Sequence, residues 1–250
     1  MDRRDFFKTA NRTVRAKKTG GKSQAMLFAG LDPYAGSWTV NEVTHLLKRT
    51  MFGAKKVDVD YFLSRTPDEA VEELLNTSFN PAPPLRDYGL LEDEGVWYDD
   101  LGVAVGQTWV NDPNTASFEG IRGSINSRRA DSLKKWWSGL ILNQQRSIQE
   151  KMVLFWHHHF SIQSTEVENA AMLYRHHNLL RTNAMGNVKT LVREVTIDPA
   201  MLIHLNGYLN TKQAPDENYA RELQELFSIG KGNDSLYTED DVIAAARVLT

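Results

Sequence analysis

The chain has 250 residues, a formal net charge of -3 and no cysteine. That charge argues against a nucleic-acid binder, whose domains carry a net basic face. The lack of thiols excludes disulfides, thiolate zinc sites, iron–sulfur clusters and cysteine nucleophiles. An apolar share of 41% is enough for a real core, and no run of about 18 apolar residues offers a membrane span.

Taken from its start, the chain opens on a basic stretch in which Arg3, Arg4, Lys8, Arg12, Arg15, Lys17, Lys18 and Lys22 face only Asp2 and Asp5. The beginning Arg3-Arg4-Asp5-Phe6-Phe7-Lys8 is similar to the twin-arginine export signature. Arg12, Arg15, Lys17 and Lys18 stand where an apolar stretch of at least ~7 residues has to follow. Residues 1–37 are therefore expected to form a disordered basic arm and linker, and the compartment, cytoplasmic or periplasmic, stays open.

From Trp38 a helical period appears, with Val40, Val43, Leu46 and Leu47 on one side and closure at Gly53. Val57 to Leu63 and Pro67 to Leu75 predict two further helices, the second capped by Thr66. Pro81, Pro83 and Pro84 then break the pattern. Residues 81–123 are expected to be an acidic, aromatic loop insertion that packs its own aromatics on the surface; binding of a sugar or a cation is the other reading. Beyond Gly123 almost every segment reads as helix. Ser127 is the expected cap of one through Ile141, and others follow around 147–162, 168–184, 187–196, 199–205, 216–229 and from Thr238. The expected fold is all-α, an irregular multi-helix bundle with long loops over residues 38–250.

The densest stretch is Glu150 to Ile162, apolar on most sides and therefore expected to be buried and central. At 100° per residue His157 and His159 point nearly opposite ways, so one metal cannot take both from a helix. His158 is expected to be exposed. His176 sits within an apolar stripe, as a core histidine or a ligand, while Arg175, Asn178 and Arg181 take the outer face. Glu42 and His45 have the E-x-x-H spacing of di-iron bundles, without the second such pair. Glu222 borders the apolar side of its helix and offers a carboxylate to a histidine. His45, His157, His159 and Glu222 are thus the candidate ligands of a divalent metal. No Walker loop, nucleophile elbow, H-E-x-x-H or dinucleotide fingerprint is present.

Phe155-Trp156-His157-His158-His159-Phe160, Tyr174-Arg175 with Asn178-Leu179-Leu180-Arg181, Asp198-Pro199-Ala200-Met201 and Asn218-Tyr219-Ala220-Arg221-Glu222-Leu223 resemble the bacterial family called domain of unknown function 1800. The likeness covers roughly residues 40 to 250. It implies a large, mainly helical protein with no established activity, often encoded beside a sulfatase- and phosphatase-related protein, with many members that look exported. It also implies a continuation past Thr250, so that a site shared with a C-terminal half is expected to be incomplete here. His158 and Asp216 stand where asparagine is common, and Asn206 where aspartate is common, which removes a carboxylate from any metal site there.

Two functions follow as expectations. The first is a cell-envelope accessory or interaction protein acting with a partner, the sulfatase/phosphatase-related protein being the candidate. The second is a metal-dependent enzyme, a hydrolase for instance, with a histidine and glutamate site.

Overall fold

Capping residues cut the chain into short helices. The computed structural model describes residues 33–114, 119–232 and 235–250; the basic arm and its arginine pair lie outside the described residues. Thr39 and Glu42 form a reciprocal capping box at the head of α1 (Val40–Thr50). Thr66 and Glu69 repeat it for α3 (Pro67–Asn76), with Pro67 at the first position, and α2 (Lys56–Leu63) lies between them. Val43, Leu47, Met51, Phe62, Ala70 and Leu74 give these three helices a core of their own.

The segment after the prolines is irregular except for a small hairpin. Strand β1 (Leu91–Asp93) pairs antiparallel with β2 (Val96–Tyr98), Leu91 opposite Tyr98. Glu94 and Gly95 turn it with φ of 50° and 81°, the positive values that a two-residue I′ turn demands. Two buried arginines organise the rest. Arg86 donates to the carbonyls of Asp100 and Val103 at 2.9 and 2.6 Å. Arg129, on α4 (Glu119–Leu142), grips the Asp100 carboxylate at 3.0 Å and Asp112 at 2.8 Å. The loop is consequently no surface appendage. Trp97 is exposed, but Trp109 is wholly buried and donates to Ser132 at 3.2 Å.

Helix α4 also starts before Ser127, so that residue is no cap. Gly120 and Gly123 are carried inside the helix because Ile121 and Ile125 bury against Leu91 of the hairpin. Tertiary packing there outweighs the weak helix propensity of glycine.

The remaining helices are α5 (Gln149–His159), the single turn α6 (Ser164–Val167), α7 (Ala170–Asn183), α8 (Val188–Thr196) and α9 (Pro199–His204), then α10 (Glu217–Glu225) and α11 (Glu239–Val248). Asn169, Asn187, Asp198, Asp216 and Thr238 cap α7, α8, α9, α10 and α11 with their side chains. The architecture is mostly helical, as the periodicity predicts.

The main C-terminal core joins Phe160, Leu180, Leu191, Val195, Met201, Tyr219 and Phe227. Helix α5 feeds it with Trp156, and Phe160 follows at its C-cap, yet Phe155 is 55% exposed, so the helix is not buried on most sides. What it buries instead is Glu150, held by Arg181 of α7 at 2.5 and 2.9 Å. Arg181 therefore lies inside rather than on the outer face, since a paired guanidinium can be desolvated where a lone one cannot.

Candidate functional site

One side of α4 presents Ala130, Leu133, Lys134 and Trp137, a helical stripe that faces the start of α7 across a cleft. The cleft has two chambers. The outer one, about 680 Å³, lies between α4 and the α6–α7 junction and carries Arg122, Asn126, Asp131, Lys134, Ser164 and Glu168 on its walls. Glu168 holds a left-handed backbone, φ 47°, at that junction. The inner chamber, about 210 Å³, has an apolar wall of Leu133, Ile162 and Leu173 and a floor of Trp137, His157, His176 and His177. Ala130, Lys134, Ser164 and Leu173 line both, so the chambers adjoin.

Each imidazole has a separate set of neighbours. His176 is a strut: Nδ1 contacts Asp198 Oδ2 and Nε2 the Phe160 carbonyl, both at 2.9 Å. It links the C-terminal end of α5 to the N-cap of α9, where the same Asp198 oxygen also accepts the Met201 N–H at 3.0 Å. His157 lies against the Trp137 ring, centroids 4.9 Å apart. His177 stands edge-on between Trp137 and Trp136, at 4.6 and 5.4 Å. It is 3% exposed, and neither of its ring nitrogens has a hydrogen-bond partner among the described residues.

These surroundings set the charge. Burial, helped by His176 and His158, pushes His157 down to about 4. Burial first, then the Arg181 guanidinium and the two other histidines, holds His177 well below the ordinary histidine range. Both are neutral near pH 7. The Trp137 indole donates to Glu150 Oε2 at 3.3 Å, so the Glu150–Arg181 pair braces the floor from behind.

The other expected ligands are placed elsewhere. His159 donates Nε2–H to the Phe227 carbonyl at 3.0 Å, on the opposite side of α5 from Trp137. His45 is exposed on α1, and Glu222 is half-buried on α10. His158 is exposed, as its place on the helix predicts. Among the described residues no three histidine, aspartate or glutamate side chains converge as a metal ion needs. The cleft unites His157 with His177 and Trp137, a grouping that the helical periods do not disclose. The one sequence signal for it is the neighbouring Trp136-Trp137 and His176-His177 doublets, each placing one bulky polar ring beside a core position.

Residues 45–250 match the family described as Protein of unknown function (DUF1800). The chain belongs to this family. The DUF1800 match takes in every residue that lines the cleft, together with all four expected ligands. No curated protein and no solved structure matches.

Proposed function

We propose that this DUF1800 protein is an accessory or interaction protein of the bacterial cell envelope that binds rather than transforms, acts with a partner, and uses the α4–α7 cleft as its working site. The support comes from the inner chamber, where burial holds His157 and His177 neutral beside the apolar wall of Leu133, Ile162 and Leu173, with Lys134 and Ser164 on the edge shared with the outer chamber. A general base works best with a pKa near the working pH, and His157, at about 4, is too weak for that role at neutrality. A neutral imidazole still recognises a ligand, since it carries one donor and one acceptor. The envelope setting and the sulfatase/phosphatase-related partner rest on the family resemblance.

Size-exclusion chromatography and calorimetry of the protein mixed with that partner test this. A complex that forms with wild-type protein and weakens when Ala130→Phe closes the passage between the chambers supports it. Separate elution at micromolar concentrations, with no heat of mixing, rejects the partner.

The rival reading is a metal-dependent enzyme using His45, His157, His159 and Glu222. One observation favours it: neutral imidazole is the form that a metal takes, and His157 is in that form at the edge of a cavity. Elemental analysis of tag-free protein decides it. Near-stoichiometric metal that is lost in a His157→Ala, His159→Ala double variant supports a metal site and with it the enzyme reading, and metal-free wild-type protein rejects it.

A further inference from the structure

The cleft is electrically balanced. Its outer walls hold two cations, Arg122 and Lys134, and two anions, Asp131 and Glu168. Lys134 and Asp131 are moreover paired with each other at 3.3 Å. A phosphate or carboxylate ligand would need a net positive field or a bidentate arginine fork, and a cationic ligand a net negative one or an open aromatic cage. The lining supplies neither sign in excess.

The inner chamber asks for hydrogen bonds in both directions. His177 is buried on its wall with both ring nitrogens unpartnered. A buried polar group left so is destabilising, and a neutral imidazole needs one acceptor and one donor to relieve that. A hydroxyl group is both at once. Beside the histidine, the Trp137 indole and Leu133, Ile162 and Leu173 give an apolar wall, against which the C–H face of a ring can pack. The inner volume of about 210 Å³ is below the roughly 300–1,000 Å³ of a pocket for a drug-sized molecule, while the outer chamber of about 680 Å³ is within that range. One ring fits inside, and further rings extend into the outer chamber, among the amides and hydroxyls of Asn126 and Ser164.

We infer that the cleft binds an uncharged, polyhydroxylated ligand, a neutral carbohydrate, with one sugar ring against Trp137 and its hydroxyls on His177 and His157. This rests on the cleft being the working site proposed above. The probes are glucose, N-acetylglucosamine and maltotriose, with glucuronate and glucosamine as charged counterparts, titrated into the full chain by calorimetry and tryptophan fluorescence. At least one neutral sugar should bind saturably, with an affinity that changes less than about twofold between 50 and 500 mM salt, as expected for a contact without net charge.

Affinity should fall at least about tenfold in His177→Leu, which removes both nitrogens. Should that variant misfold, Ala130→Phe, at the half-buried junction of the chambers, makes the same test. Lys48→Ala, at an exposed position of α1, should bind like the wild type. Binding of glucuronate alone, with steep salt dependence, overturns the neutral-ligand inference. So does an absence of any sugar signal, or a sugar affinity that both cleft variants leave intact. If sugar is not bound but Ala130→Phe still abolishes partner binding, the carbohydrate is wrong and the working site stands. If neither responds, both fail.

Discussion

His157 couples the cleft to pH through a sign that is fixed by its surroundings. Folded, it is pushed down to about 4 from an ordinary value of 6.5. Between those two values the unfolded chain takes up the proton and the folded one refuses it, so stability falls as pH falls through that window and is fully present above it. The difference is worth about 3 kcal/mol, and His177, lowered as well, adds in the same direction. Urea unfolding at pH 7, 6, 5 and 4 should show this decline, and His157→Gln should flatten it by about that amount; an unaltered decline in the variant would show that another group is responsible. Arg129 gives a second prediction at this scale. It and Asp100 are 1% and 2% exposed, and burial, with the hydrogen bond to Asp100, keeps the Tyr88 hydroxyl proton on well beyond the usual phenol range. Arg129→Met leaves the Asp100 carboxylate buried without a counter-ion and should cost about 3–5 kcal/mol, most of it regained in Arg129→Met with Asp100→Asn. Thermal melts of the two variants check it, and equal losses in both would mean that the pair's charge is not what matters.

At the scale of elements, α5 connects the cleft to the C-terminal core. Trp156 stacks on Phe160 with centroids 5.9 Å apart and donates to the Ala184 carbonyl at 3.0 Å. Trp156→Ala should cost about 3–5 kcal/mol, and a loss below about 1 kcal/mol in urea unfolding would show that α5 is peripheral. Helices with local start signals are legible in the sequence: Thr66-Pro67, Asn187, Asp198-Pro199 and Thr238 each mark an N-terminus that the structure keeps. The first two turns of helix α4, before Ser127, are not, because what carries the helix through Gly120 and Gly123 is the hairpin it packs on, distant in sequence. The site divides in the same way. A helical period shows that His157 and His159 face apart, but it cannot tell which faces of which helices meet. That Arg181 turns inward depends on Glu150, 31 positions earlier, and the partnerless state of His177 depends on two indoles from α4.

Across the whole molecule, the hydrophobic interior is divided into several small cores rather than one. Helices α1 to α3 own one of them. Around residues 144–151 they meet the rest largely through polar contacts: Ile148 N–H to the Leu74 carbonyl and Phe52 N–H to Gln144, both at 3.0 Å, and Arg146 to Asp58 at 2.9 Å, with the Lys151 ammonium 4.4 Å from the centre of the Phe52 ring. Regions with little shared apolar surface open with less free energy than the global transition. Native-state hydrogen exchange should therefore show α1 to α3 opening as one group at a lower free energy than α7 and α8. Arg146→Met should lower that value by about 1 kcal/mol without moving α7. A single exchange class for all these helices would reject the division.

That seam also has a mechanical meaning. Tension applied through the α1 side meets a line of separate hydrogen bonds and one ion pair. Such contacts break one after another at low force, whereas the interlocked side chains around Phe160 and Leu180 must shear together. Under load the three-helix group is expected to peel away before the core around Phe160 and Leu180 gives, so extension there is taken up ahead of any change in the cleft between α4 and α7.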